Sequence, residues 1–100
     1  MSDIKFLYIG WCKGKTKGVE HDKIWTAFKV GDKYYAGWGA RGKTIRFKKH
    51  INRYELDRVT RAKEKKYGEV DSFQLFTIFP YFEGDVEKYL TFSKLTNTVM

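Results

Sequence analysis

The chain of 100 residues holds one cysteine and one proline. A lone thiol, Cys12, excludes an internal disulfide, and with only His21 and His50 beside it there is no closely spaced set of zinc ligands. No metal and no cofactor is expected. Cys12 with either histidine also lacks a third, orienting group, so no enzymatic activity is expected. The single Pro80 leaves no scope for rigid spacers, and neither internal repeats nor low-complexity tracts occur. Long apolar runs are missing as well. Phe73 to Phe82 is interrupted by Gln74, Thr77 and Pro80, and falls short of the roughly 20 residues that a membrane-spanning helix requires. The opening Met-Ser-Asp-Ile-Lys-Phe has none of the marks of a secretory signal. The expectation is a cytoplasmic or nucleoid/nuclear protein, not secreted and without a membrane partner.

Acidic residues are scarce: 12 Asp and Glu face 20 Lys and Arg, for a net charge of +8. The imbalance is local. Between Arg41 and Lys66 stand eleven Lys and Arg against Glu55, Asp57 and Glu64, an excess equal to that of the whole chain. From Asp71 to Met100 the sign reverses, with Lys88 and Lys94 against Asp71, Glu83, Asp85 and Glu87. Such asymmetry predicts one basic face and one neutral or acidic face. What the chain has in abundance is aromatic: 3 Trp, 7 Tyr and 8 Phe in 100 residues supply enough apolar surface for one core, so residues 1–100 are read as one domain.

Period-two patterns mark the strands. Ile4 to Cys12 is dense in β-formers, and a Lys/Gly loop follows. Ile24, Thr26, Phe28 and Val30 fall on one side of the next strand, with Trp25, Ala27 and Lys29 on the other. Gly31-Asp32 suits a type II′ hairpin returning as Lys33 to Trp38, and a turn at Gly39 to Gly42 leads to Lys43 to Lys49. There Ile45 and Phe47 alternate with an outward basic row, Thr44, Arg46 and Lys48. Asn52 and Glu55 have the spacing of a capping box, and Ile51 and Leu56 that of a hydrophobic staple. A helix from Arg53 to Lys66 is predicted, stopped by Gly68, with Leu56, Val59 and Ala62 inward. Tyr54, Arg58, Arg61 and Lys65 then share one narrow stripe. Ser72 to Phe82 reads as a strand, although Phe73, Phe76 and Pro80 also fit one side of a short helix. Gly84-Asp85 would cap a short C-terminal helix through about Leu95, burying Val86, Tyr89 and Leu90. The predicted class is α+β: a small antiparallel sheet, one main helix packed on it and a short C-terminal helix.

Gly37 to Thr44 has the letter spacing of a phosphate-binding P-loop. That cradle needs a helix beginning at the Lys-Thr, whereas the residues after Thr44 alternate as a strand. The same stretch, Tyr34-Tyr35-Ala36-Gly37-Trp38-Gly39-Ala40-Arg41-Gly42, resembles the signature of the WGR domain family. Trp25 before it, the strand Thr44 to Phe47 after it and the closing Lys63-Glu-Lys-Lys66-Tyr67-Gly68 extend the resemblance over residues 24–70, leaving 71–100 as an extension. Ala40 stands where the signature has arginine, with Arg41 one place later, and the closing pair is reversed. The resemblance implies a small mixed sheet with a helix packed on it, DNA binding and contact with neighbouring domains, with Trp38 and Arg41 at the nucleic-acid or partner surface.

The expected function is a basic nucleic-acid-binding module, for DNA ahead of RNA, that reads charge and shape rather than base edges. Its candidate contacts are Arg41, Lys43, Arg46, Lys48, Arg58, Arg61 and Lys65, with stacking by Trp38 or Tyr54. Trp38 fits equally a core tryptophan closing a turn. Lys13, Lys15 and Lys17 fit a phosphate-contacting arm or a solubilising loop. The alternative function is a protein-interaction module that docks on an acidic protein surface, with the aromatic segment Phe73 to Leu95 as its second contact.

Overall fold

In the computed structural model, residues 4–99 are described, with side chains at 4–92 other than 16 and 19. Strands β1 (Ile4–Thr16), β2 (Val19–Val30), β3 (Lys33–Ala40) and β4 (Arg46–His50) form an antiparallel meander. Helix α1 (Arg53–Glu64) crosses one face of the sheet, and β5 (Gly68–Glu69) pairs with β1 at the far edge, giving the order β4-β3-β2-β1-β5. Helices α2 (Ser72–Ile78) and α3 (Phe82–Val99) cover the opposite face. The protein is α+β. Among the described residues, no helix is long and apolar enough to cross a membrane.

The sheet lies between two apolar clusters, which is why its central strand is buried on both sides. Toward α2 and α3, Ile9, Ile24, Phe28, Tyr35 and Ile45 pack with Leu75, Phe79, Phe82 and Val86. Toward α1, Tyr8, Trp25, Ala27 and Ala36 meet Leu56 and Tyr67. A bulge between Phe6 and Tyr8 lets Phe6 face the first cluster and Tyr8 the second. Gly10 sits where α1 ends: a Cβ there would stand 2.6 Å from that of Tyr67, so only glycine admits the helix so close.

The hairpin turns fit their residues. Gly31 has φ +62 while Asp32 has no positive φ, as a type II′ turn requires. The predicted Lys/Gly loop is instead a tight turn, with Lys17 (φ 53) and Gly18 (φ 78) both left-handed, so β1 and β2 run on as a two-stranded ribbon beyond β3. On that ribbon Lys13 lies opposite Asp22 and Lys15 opposite Glu20.

Other expectations are corrected. Ser72 to Ile78 is a helix, because Asp71 and Gln74 form a reciprocal capping box and Leu75 and Phe79, four residues apart, turn to the core. Phe73 is left exposed on the other side. The C-terminal helix starts at Phe82, ahead of Gly84-Asp85, and at 18 residues is the longest described helix. Asn52 does accept the Glu55 N–H, but the Glu55 carboxylate turns to His50, so the box at α1 is half made. Ile51 is 86% exposed and makes no staple with the buried Leu56. Thr60, not Ala62, faces the core, its hydroxyl donating to the Leu56 carbonyl. The helix ends on Lys65, and Gly68 belongs to β5, without positive φ.

Candidate nucleic-acid interface

The alternation of β4 decides which side its cations occupy. Phe47 packs on Phe82 and Tyr89 of α3, so Arg46, Lys48 and His50 point to the α1 side. His50 confirms the direction: its buried ring meets Glu55 of α1, Nδ1 to Oε1, at 2.7 Å. Arg46 lies directly opposite Trp38, which lies opposite Trp25 and through it Gly10, in one row across four strands. The next row runs Tyr8, Ala27, Ala36 and Lys48. Trp25 is buried, whereas Trp38 is half-buried within the same cluster. Trp38 is therefore partly core and partly surface, and it sits in β3 rather than closing a turn.

Helix α1 starts beside His50 at the β4 edge and ends against β1, where the Tyr8 hydroxyl donates to the Tyr67 carbonyl at 2.9 Å. Burial pushes the Tyr8 phenol above the ordinary value of 10.0, with Glu64 and Glu69 adding to the rise. Burial does the same to Tyr67, helped by Cys12. Since Leu56 and Thr60 anchor the helix, the opposite side carries Tyr54, Arg58, Arg61 and Lys65, all exposed and within about 60° of arc at 100° per residue. The carboxylates of α1 sit on its flanks. Glu55 is taken by His50, and Asp57 by Arg53 at 3.7 Å. Among the described residues, no ion pair involves Arg58, Arg61, Lys65, Arg46 or Lys48. The result is a cationic ridge on the helix and two more cations on the sheet, all on one side of the molecule.

Two of the predicted contacts lie elsewhere. The Arg41 guanidinium donates to Asp22 Oδ2 at 3.4 Å, while the Arg41 N–H donates to the Asp22 carbonyl and Trp11 Nε1 to Asp22 Oδ1 at 2.7 Å. Asp22 lies on the α2/α3 side, with Trp11, so Arg41 reaches away from Trp38. Lys43 lines a cleft of about 1340 Å³ between the β3–β4 turn and α3, which also holds Asp85, Glu87 and Lys88. The Gly37 to Thr44 string begins in β3, ends in this turn and is followed by β4, with no helix to complete a phosphate cradle.

Lys23 was not among the predicted contacts, yet it is half-buried on the same sheet face as Trp25 and lies opposite Ala40. Extending the β2 alternation by one step, from Trp25 back to Lys23, finds it. Ile51 escaped for a different reason, since a staple was expected to bury it. Comparison with family models, curated proteins and solved structures finds no match to this chain.

Proposed function

We propose that the protein is a non-enzymatic nucleic-acid-binding module that grips the phosphate backbone, of DNA ahead of RNA, with its α1 side. The observation that carries this is the unpaired row Arg58, Arg61 and Lys65 on α1, joined on the same side by Arg46 and Lys48. A merely solvated surface intersperses signs, whereas here the nearby carboxylates are turned aside or engaged. The arginine forks suit phosphate oxygens, and the exposed part of Trp38 and the Tyr54 ring offer surfaces for stacking. The likeness of residues 34–42 to the WGR signature supports the same side at Trp38 and lends nothing at Arg41. Lys13 and Lys15 contribute little, because they continue the Trp11 side of β1, away from α1, with Lys13 lying over the Trp11 ring.

Counterion release is the test. If the five cations each neutralise one phosphate, log K for a short duplex falls against log salt with a slope of roughly −4 to −5. A slope near zero removes the proposal.

A protein-interaction module remains the second reading, favoured by one observation: Phe73, Tyr81 and Phe92 are 79%, 80% and 71% exposed on the less basic helical side. Partners recovered from nuclease-treated extract, with no shift of labelled DNA, would favour it.

A further inference from the structure

Ile51 and Tyr54 are the two large apolar side chains most exposed in the basic half of the chain, at 86% and 71%. They stand three residues apart, where the chain leaves β4 for α1. Two features of the fold keep Ile51 out of the core. Asn52 caps the helix from an extended conformation, and Leu56 fills the core position on its own. Tyr54 heads the ridge that continues through Arg58, Arg61 and Lys65, and exposed Lys48, Lys49 and Arg53 lie within a few residues along the chain. Exposed apolar groups in a cationic setting match a polyanion whose interior is apolar and stacked. An acidic protein surface would need an apolar slot beside its charge to match both, whereas a nucleic acid carries the two together in every base step.

We infer that Ile51 and Tyr54 form a wedge that enters an opened base step while the ridge holds the neighbouring phosphates. The ligand class is nucleic acid with a step that unstacks at low cost, such as a duplex interrupted by an unpaired base. Aliphatic side chains open such steps by displacing one base from the next, and a tyrosine ring replaces the lost stacking. This inference rests on the nucleic-acid reading above and narrows its ligand.

The test uses the full chain and two 20-base-pair DNA probes, one fully paired and one with a central single-nucleotide bulge flanked by 2-aminopurine. The wild type is expected to prefer the bulged probe by about 5-fold or more, from one stacking contact, and to raise the 2-aminopurine fluorescence as the base unstacks. Ile51→Ser and Tyr54→Ala should each remove most of the preference and the fluorescence rise, and Ile51→Ser, which touches none of the backbone contacts, should do so with less than about 2-fold change on the paired probe and an unchanged salt slope. Both side chains are exposed, so thermal melting should be unaltered. Equal binding of both probes, or variants that keep the preference, overturns the wedge and leaves backbone binding standing. Failure to bind either probe at low salt removes the nucleic-acid reading and the wedge with it. Equally tight binding of polyglutamate, without a fluorescence change on DNA, points to an acidic protein partner and also overturns the wedge.

Discussion

The two faces of the sheet are built in different ways. Toward α2 and α3 the contact is a continuous aromatic network, in which Phe82 touches the rings of Phe6, Phe28 and Phe47, and Tyr89 those of Tyr35 and Phe47. Toward α1 the cluster is smaller: two of its strand residues are the alanines 27 and 36, and polar links, Tyr8 to Tyr67 and His50 to Glu55, fix the helix at its two ends. The lesson is a division of labour. One face carries most of the apolar burial that opposes chain entropy, and the other is left free to display cations whose mutual repulsion costs stability.

This contrast can be broken by mutation. Phe82→Ala should have the largest effect, a loss of about 3–5 kcal/mol in urea unfolding, since it opens a cavity at the centre of the ring network. A smaller loss than Leu56→Ala produces would reverse the ranking of the faces. Reversing charge at Arg58 and Arg61 should act on the other quantity: DNA affinity falls by about 1–3 kcal/mol for each residue, while the melting temperature stays within a few degrees. Coupled losses of fold and binding would show that the ridge is structural. Tyr8→Phe is a sharper probe of the α1 side, expected to cost about 1 kcal/mol at neutral pH by removing the buried donor to the Tyr67 carbonyl. Because the Tyr8 phenol is raised above 10.0, the folded state keeps that proton where the unfolded chain releases it. Its contribution is therefore whole below pH 10 and declines as pH climbs through the folded value. Urea midpoints between pH 9 and 11.5 should fall less steeply in the variant than in the wild type, and parallel curves would refute the assignment. The smallest effect is expected for Arg41→Ala, at about 0.5 kcal/mol or less in stability and none in DNA affinity, because its guanidinium is 54% exposed and paired only with Asp22. A clear loss of DNA affinity would return Arg41 to the interface.

Much of this contrast is legible in the sequence, because it depends on short-range periodicity. The alternation Ile24 to Val30 assigns both faces of β2, and Ile45, Phe47 against Arg46, Lys48 assigns β4. The solvent stripe of α1 follows from residue spacing alone. What escaped depends on competition between partners. Glu55 had two available hydrogen bonds, and the buried His50, brought near by the end of β4, took the carboxylate from the capping box. Phe73, Phe76, Phe79 and Phe82 place an aromatic at every third residue, a spacing that would alternate faces on a strand and suits a helix better, but the density of β-forming residues masked it; Asp71 and Gln74 carried the deciding signal. Arg41 followed its backbone toward Asp22, a pairing set by how far β2 extends, which no local pattern reports.

The segment from Arg41 to Ile45 joins two strands whose side chains alternate strictly, and this bears on which length changes the protein can survive. Because Ile45 and Phe47 are held in the core, a residue added between Arg41 and Thr44 leaves the register of β4 in place and lengthens only the turn. A residue added or deleted between Ile45 and Phe47 would instead exchange the Phe47 anchor for a charge at the aromatic interior. Divergent descendants of this chain should therefore collect their length changes in the turn and not in the strand.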